Sequence, residues 1–267
     1  MRVTLCGTGA GVNTALRANA GIVLQAHDRT IMLDCGGGSV REAVRAGITI
    51  RSIDAVCLSH LHQDHCCDLA ILLADRAFGR LVPPAVYGPI GVEAFVRAGA
   101  GYVNSMAHPE NALPAFCEVA DGPERDVCGF SVRWAVTPHA PDLVALAQRI
   151  EASGRSVVYS GDTRAAPQVM VPLARGADVL IHECFSNERM QRVIPTVSPA
   201  VAERLGHFRE VHSEVRDVAA IARDAGVRRL VLTHLLSGEE QEELAPIASA
   251  IFKGDIVVAQ DGMSFEV

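Results

Sequence analysis

Short apolar runs bounded by charged or turn residues recur along the whole chain, and their lengths separate strands from helices. Runs rich in Val, Ile and Leu predict strands at 3–6, 22–25, 31–34, 55–59, 85–87 and 130–136, and later at 144–150, 157–160, 179–182, 230–233, 256–259 and 263–267. Apolar positions three and four apart predict helices at 40–46, 69–78, 92–98, 168–174, 214–225 and 240–251. Ser153-Gly154 between two strand runs predicts a hairpin turn. The first half is strand-rich with few helices. That mixture fits two sheets packed face to face with helices outside better than a strictly alternating parallel sheet.

Composition narrows the picture. The 267 residues show no Pro/Ser/Gly-rich linker or low-complexity tract, so one domain over 1–267 is expected. With 49% hydrophobic residues the chain can bury a sizeable core. None of its apolar runs approaches the ~18–20 residues of a membrane span. The chain opens directly on a strand pattern without a leader, so a soluble cytoplasmic protein with no membrane partner is expected. Eight cysteines with no C-x-x-C pair are too sparse for a disulfide framework. A net charge of −7 and a single lysine, Lys253, argue against a broad polyphosphate-binding face and make nucleic acid an unlikely partner. The arginines are spread along the chain, which still suits a small anionic ester substrate.

The candidate chemistry begins at His60-Leu61-His62-Gln63-Asp64-His65, directly after the apolar run 55–59. Packing does not call for three imidazoles and a carboxylate within six residues, whereas a bound cation does. Residues 60 and 62 can project together, while 64 and 65 on the following turn face a second point nearby. This supplies ligands for two metal ions, which lie roughly 3.5–4 Å apart in two-metal hydrolases. Three further donors follow strands in the same manner: His139 in Thr-Pro-His, Asp162 in Ser-Gly-Asp-Thr, and His234 in Leu-Thr-His. Residues 54–61 and 229–235 echo each other as buried strands ending in a hydroxyl residue, a histidine and a leucine, which suggests two similar halves. The opening Gly7-Thr-Gly9-Ala-Gly11 does not meet the dinucleotide pattern, because its third glycine is misplaced and no helix follows. Tight backbone turning beside the site explains it better. Cys66-Cys67 reads as packing at the start of the next helix, not as a ligand pair.

These residues resemble the metallo-β-lactamase superfamily of binuclear hydrolases, through the H-x-H-x-D-H signature and the ordered downstream donors. The resemblance runs from residue 3 to the end and implies an αββα sandwich. It implies that His60, His62 and His139 hold one metal, that Asp64, His65 and His234 hold the other, and that Asp162 bridges them. Asp34 in Leu-Asp-Cys-Gly resembles the aspartate that supports the site from behind. Imidazole at position 62, where oxygen-reducing iron members commonly carry a carboxylate, favours two zinc ions over manganese or iron and disfavours a redox role. The reaction class implied is hydrolysis by water activated at the cations, with Asp64 catalytic as well as ligating. Superfamily relatives often pair, so a homodimer is also expected.

Two further segments look like the phosphodiesterase branch, which includes tRNA 3′-processing endonucleases and cyclic-nucleotide phosphodiesterases. Leu-Ile-His182-Glu183 ends a strand, and His212-Ser-Glu opens a helix. By that resemblance His212 is the general acid for an alkoxide leaving group and Glu183 its partner. The endonucleases insert a long tRNA-gripping arm between the positions of His139 and Asp162, and the short interval here leaves no room for one. Asp64-His-Cys-Cys-Asp68 looks more like small-substrate members. The reading is therefore a hydrolase of a small phosphodiester, with cyclic nucleotides among the candidates. The alternatives are an arylsulfatase, lactonase or thioesterase of the same fold, a tRNA endonuclease, and a non-catalytic binding module. Residues 99–128 form an irregular stretch in which Tyr102, Met106, His108 and Phe116 could overhang the metals or form an ordinary surface loop.

Overall fold

The structure, a computed structural model, describes residues 1–11, 14–79, 81–99, 113–236 and 241–267. Among these residues fourteen strands form two seven-stranded sheets. The first runs in the order β14 (Ser264–Glu266), β1 (Arg2–Gly7), β2 (Gly21–Ala26), β3 (Arg29–Leu33), β4 (Ala55–Cys57), β5 (Ala85–Gly88), β6 (Phe116–Glu118). The second runs β13 (Asp255–Val258), β12 (Arg229–Thr233), β11 (Val179–Glu183), β10 (Arg155–Tyr159), β9 (Ala145–Ala152), β8 (Phe130–Thr137), β7 (Arg125–Val127). In each sheet the pairs from one edge to the fourth strand are antiparallel and the remaining pairs parallel.

Period-two alternation sorts the strand residues between layers. Val3, Leu5, Ile31 and Leu33 of the first sheet meet Phe130, Trp134, Ile150 and Ile181 of the second in one buried core. Cys6, Val23, Met32 and Val56 face outward onto helices α1 (Ser39–Arg45), α3 (Leu69–Phe78) and α4 (Val92–Gly99). The outer face of the second sheet packs on α5 (Pro167–Ala174), α8 (Val215–Ala225) and α9 (Gln241–Ser249). The layers are thus α, β, β, α, the expected sandwich. Helix α8 shows how sequence sets this order. Glu214 accepts a hydrogen bond at its start, Gly226 closes it in the left-handed conformation, and Val215, Val218, Ala219 and Ala222 form one buried face. Each buried valine there contributes about 1.5–3 kcal/mol.

The two halves repeat each other, with β3–β4 matching β10–β11. Asp54, just before β4, accepts from Thr30 N at 2.9 Å and pairs with Arg29 at 3.2 Å. Asp178, just before β11, accepts from Ser156 N at 2.9 Å and pairs with Arg155 at 3.3 Å. By topology β4 therefore corresponds to β11, not to β12 as the echo of 54–61 with 229–235 suggests. That echo reflects two strands delivering histidines to the same edge.

Other expectations are corrected at the edges. Within 99–128, residues 100–112 lie outside the described residues, and with them Tyr102, Met106 and His108. None of the remaining described residues lines the cleft of the converging donors, and β6 and β7 close one edge of each sheet. Phe116 lies in β6 beneath the guanidinium of Arg97, whose Cζ is 5.4 Å from the ring centroid. All eight cysteines are free. Cys66 is buried, but Cys67 is exposed rather than packed. No helix among the described residues is long and apolar enough to cross a membrane.

Candidate metal centre and its acid pair

The donors reach one cleft because each sits just past the end of a strand or on the short turn after it. His60 follows β4; His62, Asp64 and His65 flank or occupy the single turn α2 (Gln63–Cys66); His139 follows β8, Asp162 follows β10 and His234 follows β12. Strand ends fixed by hydrogen bonding on both sides hold such groups to tolerance. His60, His65, His139, Asp162 and His234 are buried, and His62 is half-buried.

Three groups of atoms converge: the two expected donor sets, and a third made of Glu183, His212 and His234. His60 Nε2 lies 3.0 Å from His62 Nδ1, which lies 3.3 Å from His139 Nε2, and Asp162 Oδ2 is 3.7 Å and 3.8 Å from the outer two nitrogens. His65 Nε2 lies 3.3 Å from His234 Nε2 and 3.2 Å from Asp162 Oδ1, while Asp64 Oδ2 is 3.4 Å from His234 Nε2. Donors in each of these groups lie within 4.8 Å of one another. Asp162 belongs to both expected sets: Oδ1 faces His65, while Oδ2 lies between His60, His139 and His234, whose Nε2 is 3.4 Å away.

Hydrogen-bond partners fix which ring nitrogens face these shared points. Ser59 Oγ donates to Asp34 Oδ2 at 2.8 Å and so accepts from His60 Nδ1 at 3.0 Å. His139 Nδ1 donates to Val211 O at 3.0 Å, and His65 Nδ1 to Asp34 Oδ2 at 2.7 Å. With Nδ1–H committed, the Nε2 lone pairs of His60 and His139 are aimed at shared points. Lone pairs facing each other at such distances repel unless a cation lies between. The separations also match the ~3.3 Å edge of a tetrahedron with metal–nitrogen bonds of ~2.0–2.1 Å. Burial, with repulsion from neighbouring imidazoles, pushes His60 and His62 below the ordinary imidazole range, which favours the neutral ligand form.

Residues behind and beside the converging groups hold them in place. Asp34, itself in the left-handed region at φ 55, also accepts from Ser59 N at 2.6 Å and from Tyr159 OH at 2.7 Å. Gly11 N donates to Asp64 Oδ2 at 2.8 Å. A side chain at Gly7 would meet Asn19 O at 1.6 Å, so the glycine-rich loop does serve close backbone approach beside the site. Neither Cys66 nor Cys67 is among the converging groups.

Beside the second group stand His212 and Glu183. His212 Nδ1 lies 3.0 Å from Glu183 Oε1, which also accepts from Thr163 N at 2.8 Å. Both are buried. Burial, reinforced by the charge of Asp162, pushes the Glu183 carboxyl well above its usual range, and burial pushes the His212 imidazole down. Both shifts favour the uncharged forms, a protonated carboxyl beside a neutral imidazole. His212 does not open a helix. It caps the C-terminus of α7 (Pro199–Val211), where helix carbonyls favour positive charge.

Helix α7 was not legible in the sequence. None of its side chains is buried, so no apolar stripe announced it. It lines one wall of an open cleft of about 520 Å³ through Arg204, His207, Phe208 and its cap His212, and His62 and Asp64 line the same cleft. The opposite concern, an arm between His139 and Asp162, is answered directly. That interval is filled by β9, the Ser153-Gly154 turn and β10, and nothing projects from it.

Residues 29–235 match the family described as beta-lactamase superfamily domain. The chain belongs to the β-lactamase superfamily. It is 32% identical over 278 residues to "Ribonuclease Z" of Mycolicibacterium paratuberculosis, covering 98% of this chain and 96% of that protein. Among solved structures it superposes on the metallo-beta-lactamase fold protein YhfI of Bacillus subtilis with a TM-score of 0.79 at 24% identity, over 99% of each chain. It also superposes on the short form of human tRNase Z, with a TM-score of 0.75 at 21% identity over 100% of this chain and 99% of that one. The chain is thus a metallo-β-lactamase-fold hydrolase with a His/Asp cluster able to bind metal ions.

Proposed function

We propose that this superfamily member is a binuclear zinc phosphodiesterase acting on a small phosphodiester. The observation that carries the reading is the His212–Glu183 pair, 3.0 Å apart and adjoining the two donor groups. Esters with good leaving groups do not need such a pair; an alkoxide does. The ribonuclease Z relative supports the same bond type.

His60, His62 and His139 would hold one cation, Asp64, His65 and His234 the other, and Asp162 would bridge both. When bound, two divalent cations lower the pKa of water toward ~7 and offset charge gathering on the phosphoryl oxygens. Asp64 is held ionised: burial opposes this, but hydrogen bonding and charge from His234 and His65 outweigh it. One of its oxygens is anchored by Gly11 N, and the other can orient the attacking water. His212, with Nδ1 committed to Glu183, delivers a proton from Nε2 to the departing oxygen. Glu183 fixes the tautomer and, itself held protonated, can pass its proton to Nδ1 as Nε2 gives one up.

RNA as substrate is the second reading, favoured by the relative's name. Against it stand the low lysine content and the filled interval between His139 and Asp162. The test is hydrolysis of bis-p-nitrophenyl phosphate, 3′,5′-cyclic nucleotides and a tRNA precursor by zinc-loaded protein. Turnover of the small diesters supports the proposal; cleavage of the precursor alone would replace it with the second reading.

A further inference from the structure

Arg204 stands out among the chain's arginines. Those at 29, 155, 216, 228 and 229 pair with carboxylates. Among the described residues Arg204 makes no hydrogen bond or ion pair, yet it lines the cleft of the metal centre. It is also the only arginine or lysine among the described residues lining that cleft, whose other charged side chains include Asp64, Asp162 and Glu203.

Its place on the helix gives the direction. Arg204, Phe208 and His212 are spaced by four, so they share one face of α7 and its C-cap. Eight residues at 1.5 Å put Arg204 about 12 Å along the axis from His212. Between them Phe208 and Val211 present apolar surface to the cleft. Because His212 protonates the departing oxygen, the wall formed by α7 flanks the leaving alcohol rather than the attacking water. From acid to arginine the wall reads proton donor, apolar strip, free cation.

We propose that Arg204 binds a second anionic group carried by the leaving alcohol, so that the preferred substrate is a phosphodiester whose departing half is itself a nucleotide, not a cyclic mononucleotide with a single phosphate. This rests on the phosphodiesterase reading above and deepens it. A guanidinium can take a phosphate through two parallel hydrogen bonds. An open cleft leaves that contact sensitive to salt.

The experiment compares kcat/KM of zinc-loaded protein on the dinucleotide UpU, on pUpU and on UpUp, with the products showing which nucleoside departs. A terminal phosphate on the departing nucleoside is expected to raise kcat/KM about tenfold. The advantage is expected to fall below about twofold in Arg204→Gln, to return in part in Arg204→Lys, and to shrink as potassium chloride is raised. Arg209→Gln, on the outer face where Arg209 Nε meets Asn187 Oδ1 at 3.0 Å, controls for net charge and should keep the advantage. Hydrolysis with no advantage, an advantage unaffected by Arg204→Gln, or one on the retained nucleoside overturns the proposal alone. No hydrolysis of any phosphodiester overturns the phosphodiesterase reading and the proposal with it.

Discussion

Phe208 stacks on His212, with ring centroids 3.8 Å apart and planes 20° from parallel. Phe208 in turn meets Phe185 edge-on at 5.9 Å. The imidazole is therefore held from two directions, by Glu183 at its Nδ1 edge and by an aromatic face. If His212 protonates the leaving group as proposed, His212→Ala should lower kcat about 10²–10⁴-fold on diesters with alkyl leaving groups. The loss should be much smaller with p-nitrophenolate, which leaves without a proton. Phe208→Ala should cost about 1 kcal/mol of the same positioning, about fivefold in kcat, with Phe208→Tyr recovering it. Steady-state kinetics across leaving groups of different pKa would check both. An equal loss on all of them would show that neither residue serves the leaving group.

Asp34 is the hub behind the second donor group, receiving His65, Ser59 and Tyr159 on two oxygens. Asp34→Asn should weaken metal binding by about 10–100-fold. Tyr159→Phe should weaken it less, because Ser59 and His65 remain. Competition titration against a chromogenic chelator measures this without reference to turnover. Unchanged affinity in Asp34→Asn would remove the aspartate from the account of the metal centre.

Metal binding should also release protons. Burial opposes a proton on His65, but the charges and hydrogen bonds of Asp162 and Asp34 prevail and push its pKa well above the imidazole range. That shift favours a proton on His65 in the metal-free protein, and loading the site would displace it from Nε2. Calorimetric titration with zinc in buffers of different ionisation enthalpy should show release of about one proton or more per chain. No buffer dependence would mean that His65 is not a ligand.

How much of this was legible in the sequence depended on whether a residue's job left a local mark. The donors did, because several histidines beside a buried strand have no packing rationale. The sandwich did, because short apolar runs keep their period. Residues acting through tertiary contact did not: Tyr159 reads as an ordinary buried strand aromatic, and only the fold brings its hydroxyl 2.7 Å from Asp34. Helix α7 carries its information on exposed positions, where apolar period says nothing. The edge strands β6 and β7 are three residues each, too short to show alternation.

The repeated carboxylate before each first parallel strand gives a prediction about stability. Burial raises the Asp178 pKa, but hydrogen bonds from Ser156 N and Oγ, with Arg228 and Arg155, outweigh this and lower it. Its contribution to stability is therefore fully present above the unfolded carboxyl value of about 3.9 and is lost as pH falls through the lower folded value. Asp178→Ala should destabilise by about 1–3 kcal/mol at pH 7, since Ser156 N loses its acceptor. The gap to the native protein should close below pH 4. Urea denaturation at several pH values would check the sign; a gap that widened on acidification would reverse it.

The most direct test of the central claim is anomalous diffraction at the zinc edge from crystals of the zinc-loaded protein. Two peaks are expected about 3.5–4 Å apart. One should be ringed by His60, His62 and His139, the other by Asp64, His65 and His234, with Asp162 between them. A single peak, or peaks away from these side chains, would contradict it.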